Sequence, residues 1–193
     1  MGANQQNYTE KRTQSRDVYG ILGAILVGGN MTIHRHRFHG DPERFEEIAA
    51  FVLERYGKRI RYIADVAGGQ GMLSRMLNKK GYESEVIDPR GYTLKGVPSR
   101  TEEYKSDMAD YYDLVIGLHP DEAIREVAQS ALVRPTLLVP CCNFWDRTTK
   151  LGREELLKAI EKYYDENGIS YERIVLNFKG PHNIALVSEP KAA

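Results

Sequence analysis

From Tyr62 onward, short apolar runs alternate with stretches of helical periodicity, and this alternation limits the chain to very few architectures. Tyr62 to Ala67 (YIADVA) reads as a buried strand, Gly68-Gly69-Gln70-Gly71 as a tight turn, and Met72 to Lys80 as a helix stopped by Gly81. Ser84 to Asp88 (SEVID), Asp113 to Gly117 (DLVIG) and Thr136 to Pro140 (TLLVP) are further strands. Helices are expected near Asp121 to Leu132 and near Arg153 to Asn167, the second ended by Gly168. Residues 89–111 are less regular and hold at most a short strand near Val97 to Glu103. Strands linked through helices pair in parallel and carry helices on both faces. Tyr171 to Phe178 and Asn183 to Ser188 are joined only through Lys179-Gly180-Pro181. A crossover cannot be made in so short a connection, so these two strands form an antiparallel hairpin. The expected fold is a three-layer α/β domain with a mostly parallel sheet and a terminal antiparallel hairpin.

Upstream of this unit, Asp41 can cap a helix whose first position is Pro42. Phe45, Ile48, Ala49 and Val52 mark its apolar stripe and Gly57 ends it. The chain thus divides into an N-terminal helical extension, residues 1–57, and one compact α/β unit, residues 58–193. The longest apolar run, Val18 to Gly29, contains four glycines. It is too short to span a bilayer and lies too far in for a signal peptide, so no membrane association is expected. Acidic and basic residues balance at 27 each, which excludes a globally basic, charge-driven nucleic-acid binder but leaves room for a local patch. The two cysteines, Cys141 and Cys142, are adjacent and provide no disulfide framework, so a reducing, cytoplasmic setting is expected.

In open parallel sheets, ligands lie at the carboxyl ends of the strands. The glycine turn, Asp88, His119 and Cys141 all fall at such ends. The glycines allow a tight turn and close approach of the backbone to a ligand, and a strand-end carboxylate such as Asp88 can accept hydrogen bonds from ribose hydroxyls. The segment Asp65-Val-Ala-Gly-Gly-Gln-Gly71 resembles the first motif of class I S-adenosylmethionine (SAM) dependent methyltransferases, an acid-x-Gly-x-Gly-x-Gly pattern after the first strand. Asp65, Gly69 and Gly71 match it, while Ala67 stands where the first glycine is usual and crowds the turn. The resemblance implies a Rossmann-like methyltransferase fold with SAM as cofactor. It places Asp65 and the loop of Ala67, Gly68, Gly69 and Gly71 at the methionine end, Asp88 at the ribose, and Asp107 and Met108 near the adenine, with Gly117 also on the cofactor side. A nicotinamide-dependent oxidoreductase is the rival, but its Gly-x-Gly-x-x-Gly fingerprint would need glycine where Ser74 stands.

Gly117-Leu118-His119 and Val139-Pro140-Cys141-Cys142 follow the next two strands. Together they resemble a methyltransferase subgroup that includes tRNA 2′-O-methyltransferases, which makes RNA a candidate acceptor beside a small molecule. Methyl transfer from an activated sulfonium leaves the protein to position the acceptor and handle its proton. His119 is suited to take that proton, or else to serve as a loop residue or a cofactor contact. Cys141 or Cys142 stands near the place of the nucleophile in RNA cytosine-5 methyltransferases, yet the surrounding residues do not match that family. The plainer reading makes both cysteines small apolar pocket residues. No metal is expected, because adjacent cysteines lack chelating spacing.

Asn143, Phe144 and Trp145 are candidates for the acceptor site, the two aromatics by stacking on a planar group or, equally, by packing in the core. The basic stretch His34-Arg-His-Arg-Phe-His39 is the most unusual local feature. If it is extended, His34 and His36 share one side while Arg35 and Arg37 share the other, where they could hold phosphate or carboxylate. The contrasting reading is a solvated stretch pairing with Glu43, Glu46 and Glu47. The overall expectation is a methyltransferase acting on RNA or a small molecule, with a non-catalytic SAM-binding or interaction module as the alternative from another class.

Overall fold

The computed structural model describes residues 40–190. The expectations for Tyr19 to Val27 and for the basic stretch, including His34, Arg35 and Arg37, lie outside the described residues.

Helix α1 spans Glu43–Tyr56 and strand β1 spans Tyr62–Val66, followed by helix α2 at Met72–Lys79 and strand β2 at Glu83–Ile87. Next come the two-residue strand β3 at Ser99–Arg100, strand β4 at Leu114–Leu118, helix α3 at Ile124–Ser130 and strand β5 at Thr136–Val139. Helix α4 at Arg153–Glu166 leads to strands β6 at Ser170–Val175 and β7 at Ile184–Glu189. The strands form one sheet in the order β3-β2-β1-β4-β5-β7-β6. All pairings from β3 through β5 are parallel; β7 runs antiparallel to both β5 and β6. This is the three-layer, mostly parallel sheet with a terminal hairpin that the alternation of the sequence implies.

The period of two along each strand divides its side chains between two cores. Ala64 and Val66 of β1, Val115 of β4 and Leu138 of β5 meet Val127 of α3 and Ile160 of α4 on one face. Ile63, Leu114, Ile116, Leu137 and Val139 meet Ile48 and Val52 of α1 and Leu73 and Leu77 of α2 on the other. α1 therefore belongs to the packed helical layer of the sheet. Its buried Phe45, Ile48, Ala49, Val52 and Tyr56 recur at helical spacing.

Asp41 fixes the start of α1 by accepting the Glu43 N–H at 3.0 Å and also accepts the Lys179 N–H at 2.7 Å, tying the helix to the β6–β7 connection. The Asp113 carboxylate similarly accepts the N–H groups of Arg61 and Tyr62, at 2.8 and 2.9 Å, and sets the start of β1. Among the described residues, no helix is long and apolar enough to cross a membrane.

The chain leaves β1 toward β2 and β3, then returns to the other side of β1 as β4. That reversal opens a crevice above the carboxyl ends of β1 and β4, the place where such sheets bind ligands.

Candidate functional site

The turn after β1 is built from backbone conformations that side chains resist. Ala67, Gly69 and Gly71 all have positive φ, at 54°, 57° and 75°. A Cβ on Gly71 would lie 2.8 Å from Val86 and 2.9 Å from Val97, so this position excludes a side chain by space as well as by φ. At Gly68 a Cβ would meet the Asp65 carboxyl carbon at 2.5 Å. Asp65 lies beneath the turn, 1% exposed, and accepts the Ser74 N–H at 3.2 Å and the Ser74 hydroxyl at 2.9 Å. Ser74 and Ser84 share a further hydroxyl hydrogen bond at 2.9 Å. Burial pushes the Asp65 pKa up to about 6, against the Ser74 hydrogen bonds that favour the charged form.

Asp88 ends β2 and reaches back to the same turn. Its Oδ2 accepts the Gly69 N–H at 2.9 Å, and the carboxylate also takes the Arg90 guanidinium in a two-point contact, at 2.9 and 2.7 Å. Burial alone would raise the Asp88 pKa, but these donors and the Arg90 N–H hold it below the usual carboxylate value. The Arg90 head is half exposed, so it can swing off Asp88 without leaving a buried charge of its own. The Gln70 carbonyl accepts the Leu94 N–H at 2.9 Å, which packs the segment after β2 onto the turn.

Beside these groups lies a cavity of 660 Å³. The ends of β1 and β2 form its floor through Val66, Ala67, Ile87 and Asp88. Tyr104, Pro120, Phe144 and Trp145 add apolar walls, and Arg90, Asp121, Arg125 and Glu126 bring charge to its rim. Trp145 is buried, edge-on to Tyr163 at 5.7 Å, with the Arg125 guanidinium 4.6 Å from its ring centre. Arg125 also donates to the Trp145 carbonyl, so one cation fixes both backbone and ring. Asn143 holds the following loop by donating to the carbonyls of Asp146 and Thr149 and accepting the Asp146 N–H.

At the ends of β4 and β5, His119 and Asp121 are both non-glycine residues with positive φ, 58° and 46°. The His119 N–H donates to the Val139 carbonyl at 2.9 Å, joining the two strand ends. Its Nε2 lies 3.0 Å from the His182 carbonyl. A carbonyl can only accept, so Nε2 carries the proton and Nδ1 the lone pair. Burial lowers the imidazole pKa, against the opposing pull of the His182 carbonyl. The Cys141 thiol donates to Asp121 at 3.5 Å, and burial raises its pKa. Cys142 is exposed.

Of the residues singled out in the sequence, the cavity gathers Ala67, Asp88, Phe144 and Trp145 at its wall. Gly68, Gly69 and Gly71 form the turn with Asp65 beneath it, none of them in the cavity lining, and Gly117 lies within β4, where a Cβ would crowd Pro120 and Val127 at 3.1 Å. Asp107 is exposed and Met108 packs against the core; the cavity is bordered instead by the neighbouring Glu103, Tyr104 and Lys105. The wall after β4 is formed by Pro120 and Asp121, with His119 turned toward Phe178 and His182. Sequence reasoning passed over Arg90, Tyr104, Asp121 and Arg125. The one available signal was positional: Arg90 and Asp121 each follow a recognised strand-end residue by two places.

No protein-family model and no curated protein sequence matches this chain at a significant level. Solved structures do match. A protein of Methanococcus maripaludis assigned as a SAM-dependent methyltransferase superposes with a TM-score of 0.54 at 16% identity, over 77% of this chain and 86% of that one. The chain has the class I methyltransferase fold. A sugar N-methyltransferase from a Streptoalloteichus species matches over 88% of this chain and 100% of its own, with a TM-score of 0.52 at 15% identity. A Streptococcus thermophilus protein assigned as a hemolysin gives 0.55 at 11% identity, over 82% of this chain and 70% of that one.

The residues present suit the cofactor that this fold implies. Ligand pockets run to roughly 300–1,000 Å³, and 660 Å³ falls within that range. The strand-end carboxylate of Asp88 can accept hydroxyl hydrogen bonds, and Tyr104, Phe144 and Trp145 put aromatic side chains in the wall beside it. Carboxylates at Asp88, Asp121 and Glu126 complement a cation.

Proposed function

We propose that this chain is a SAM-dependent methyltransferase acting on an RNA or small-molecule acceptor. The observation that carries the reading is the pairing of Asp88 with the Gly69 N–H at the switch point of the sheet, beside a cavity of suitable size. SAM supplies a methyl group already activated as a sulfonium substituent, so the protein needs to contribute position, dryness and an outlet for the acceptor's proton.

The chain's own residues divide that work. Asp88, whose two carboxylate oxygens are held by the Arg90 guanidinium, would hold the ribose hydroxyls once Arg90 swung aside. Asp65 supports the turn from below through Ser74, keeping the Gly68–Gly71 backbone in place. Phe144 and Trp145 exclude water from one wall. His119, its pKa lowered by burial and its lone pair on Nδ1, is the base assigned to the acceptor's proton, although it stands behind the Pro120–Asp121 wall and outside the cavity lining. The acceptor enters past the Cys141 to Trp145 loop. The rim carries Lys105, Arg125 and Arg147 among Glu103, Glu122 and Glu126, a mixture that favours a compact acceptor over a polyanion held by charge. RNA is supported by the resemblance of the Gly117–His119 and Val139–Cys142 segments.

Thermal unfolding with SAM, S-adenosylhomocysteine, NAD and NADP in parallel tests the cofactor. A ligand that binds only the folded state raises the midpoint. A rise with SAM or S-adenosylhomocysteine alone is expected, and transfer of labelled methyl to RNA or metabolite fractions then sorts the acceptor. A rise with NAD or NADP alone would overturn the reading in favour of hydride chemistry. SAM binding without transfer to either class of acceptor would favour a non-catalytic module.

A further inference from the structure

We propose that Asp121, Cys141 and Cys142 form a binding site for a thiophilic divalent ion, best suited to zinc, beside the cavity. The inference is independent of the methyltransferase reading. One carboxylate oxygen and two thiol sulfurs, one ligand atom from each residue, lie within 4.8 Å of one another. In tetrahedral zinc sites, Zn–S bonds of about 2.3 Å and Zn–O bonds of about 2.1 Å set ligand edges near 3.6 Å for S···O and about 3.8 Å for S···S. The Cys141 sulfur already lies 3.5 Å from Asp121 Oδ1. To complete the triangle the sulfur of the exposed Cys142 has to close in from within 4.8 Å of the other two ligand atoms.

Adjacent residues on an extended strand point to opposite sides, which is why the sequence argues against chelation by this pair. β5 ends at Val139, however, and the chain bends through Cys141 and Cys142, bringing both sulfurs to the same carboxylate. The carboxylate comes from a different strand end. Parallel pairing of Leu118 with Val139 and the hydrogen bond from the His119 N–H to the Val139 carbonyl hold the two segments in register. The donor set, two sulfurs and one carboxylate oxygen, selects a borderline-soft ion over magnesium or calcium. Three protein ligands leave one tetrahedral position for water or an exogenous donor atom, the pattern of an open zinc site. Asp121 also lines the cavity, whereas the two cysteines stand outside its lining, so the ion would lie beside the cavity.

The test uses the full chain, reduced and stripped with a chelator, then titrated with Co²⁺ as the probe and back-titrated with Zn²⁺. The expected result is one Co²⁺ per chain with sulfur-to-cobalt charge-transfer absorption that Zn²⁺ abolishes. Cys142→Ser, at an exposed position, should roughly halve that absorption and weaken binding about tenfold or more, and Asp121→Asn should weaken binding to a similar degree while keeping the absorption. Far-UV circular dichroism of both variants checks that they fold. The proposal is overturned by absence of stoichiometric binding, or by binding without the charge-transfer band, which would point to histidines. An unchanged spectrum in Cys142→Ser, or unchanged affinity in Asp121→Asn, would also overturn it. None of these readouts needs SAM, so failure of the cofactor reading would leave them intact.

Discussion

On the β1–β2 side of the cavity the acids are held inside the protein. Asp65 is bound by Ser74 beneath the turn, and Asp88 is bound by the Gly69 N–H and the Arg90 fork. Backbone conformation sets the shape there, and two of the glycines have no room for a Cβ. On the β4–β5 side the groups are side chains with capacity to spare. His119 gives one nitrogen to a carbonyl, the buried His182 Nδ1 has no hydrogen-bond partner among the described residues, and two thiols converge on one carboxylate. The contrast separates a cradle shaped by backbone conformation from a wall side defined by polar side chains. It also indicates where substitutions should hurt the fold and where they should hurt only binding.

The largest difference should appear in Gly71→Ala. The new methyl group would have to tolerate φ of 75° and displace Val86 and Val97. Left-handed strain of about 1–2 kcal/mol and overpacking of about 1–3 kcal/mol together predict a loss of about 2–5 kcal/mol in urea unfolding. Across the cavity, Cys142→Ser should shift the same midpoint by less than about 0.5 kcal/mol. Comparable losses at both positions would erase the distinction between cradle and wall.

Next in size is the pH dependence carried by Asp65. Its folded pKa of about 6 stands above the 3.8 of an exposed aspartate, so the folded chain holds the proton more tightly than the unfolded one. For this sign of shift, the stabilisation is complete below the unfolded pKa and is lost as pH rises through the folded value. Wild type should therefore lose about 2 kcal/mol relative to Asp65→Asn between pH 4 and pH 7. Parallel denaturation curves across that range would show that the carboxylate is not desolvated as its burial implies.

Asp88→Ala should weaken SAM binding by about 1–3 kcal/mol, the loss of charge-assisted hydrogen bonds to the ribose, as read by calorimetry. Unchanged affinity would remove Asp88 from the cofactor site and shift attention to the opposite wall.

The cradle was far more legible in the sequence than the wall. Strand, glycine turn, helix and strand-end acid lie close together along the chain, and local spacing determines how they meet. Even so, the direction of Asp65 had to come from the structure. Its neighbours Ala64 and Val66 face the α3–α4 core, and a period of two sends Asp65 to the opposite face, under α2 and onto Ser74. The Arg90 contact was missed because a residue two places beyond a strand end has no fixed direction until the turn is known. Nor does any spacing rule bring Asp121 to Cys141, twenty residues apart, since that contact depends on strand register and on a bend. Asp107 and Met108 were assigned by family position, whereas the cavity border runs through Glu103, Tyr104 and Lys105.

The smallest expected effect gives the sharpest comparison. Ala67, His119 and Asp121 share the left-handed region, but their side chains have different surroundings. Ala67 has only a methyl group to lose, so Ala67→Gly trades strain of about 1–2 kcal/mol against a glycine entropy cost of roughly 0.5–1 kcal/mol. A net gain of about 0.5–1 kcal/mol in urea unfolding is expected, with an unchanged m value. His119→Gly relieves the same backbone strain but forfeits the hydrogen bond to the His182 carbonyl and the ring contact with Phe178, 6.5 Å away. It should be destabilising. Opposite signs at two positions of nearly equal φ would show that conformation governs the β1 turn and side-chain partners govern the β4 end. Equal signs would mean that the same strain, with no help from partners, shapes both.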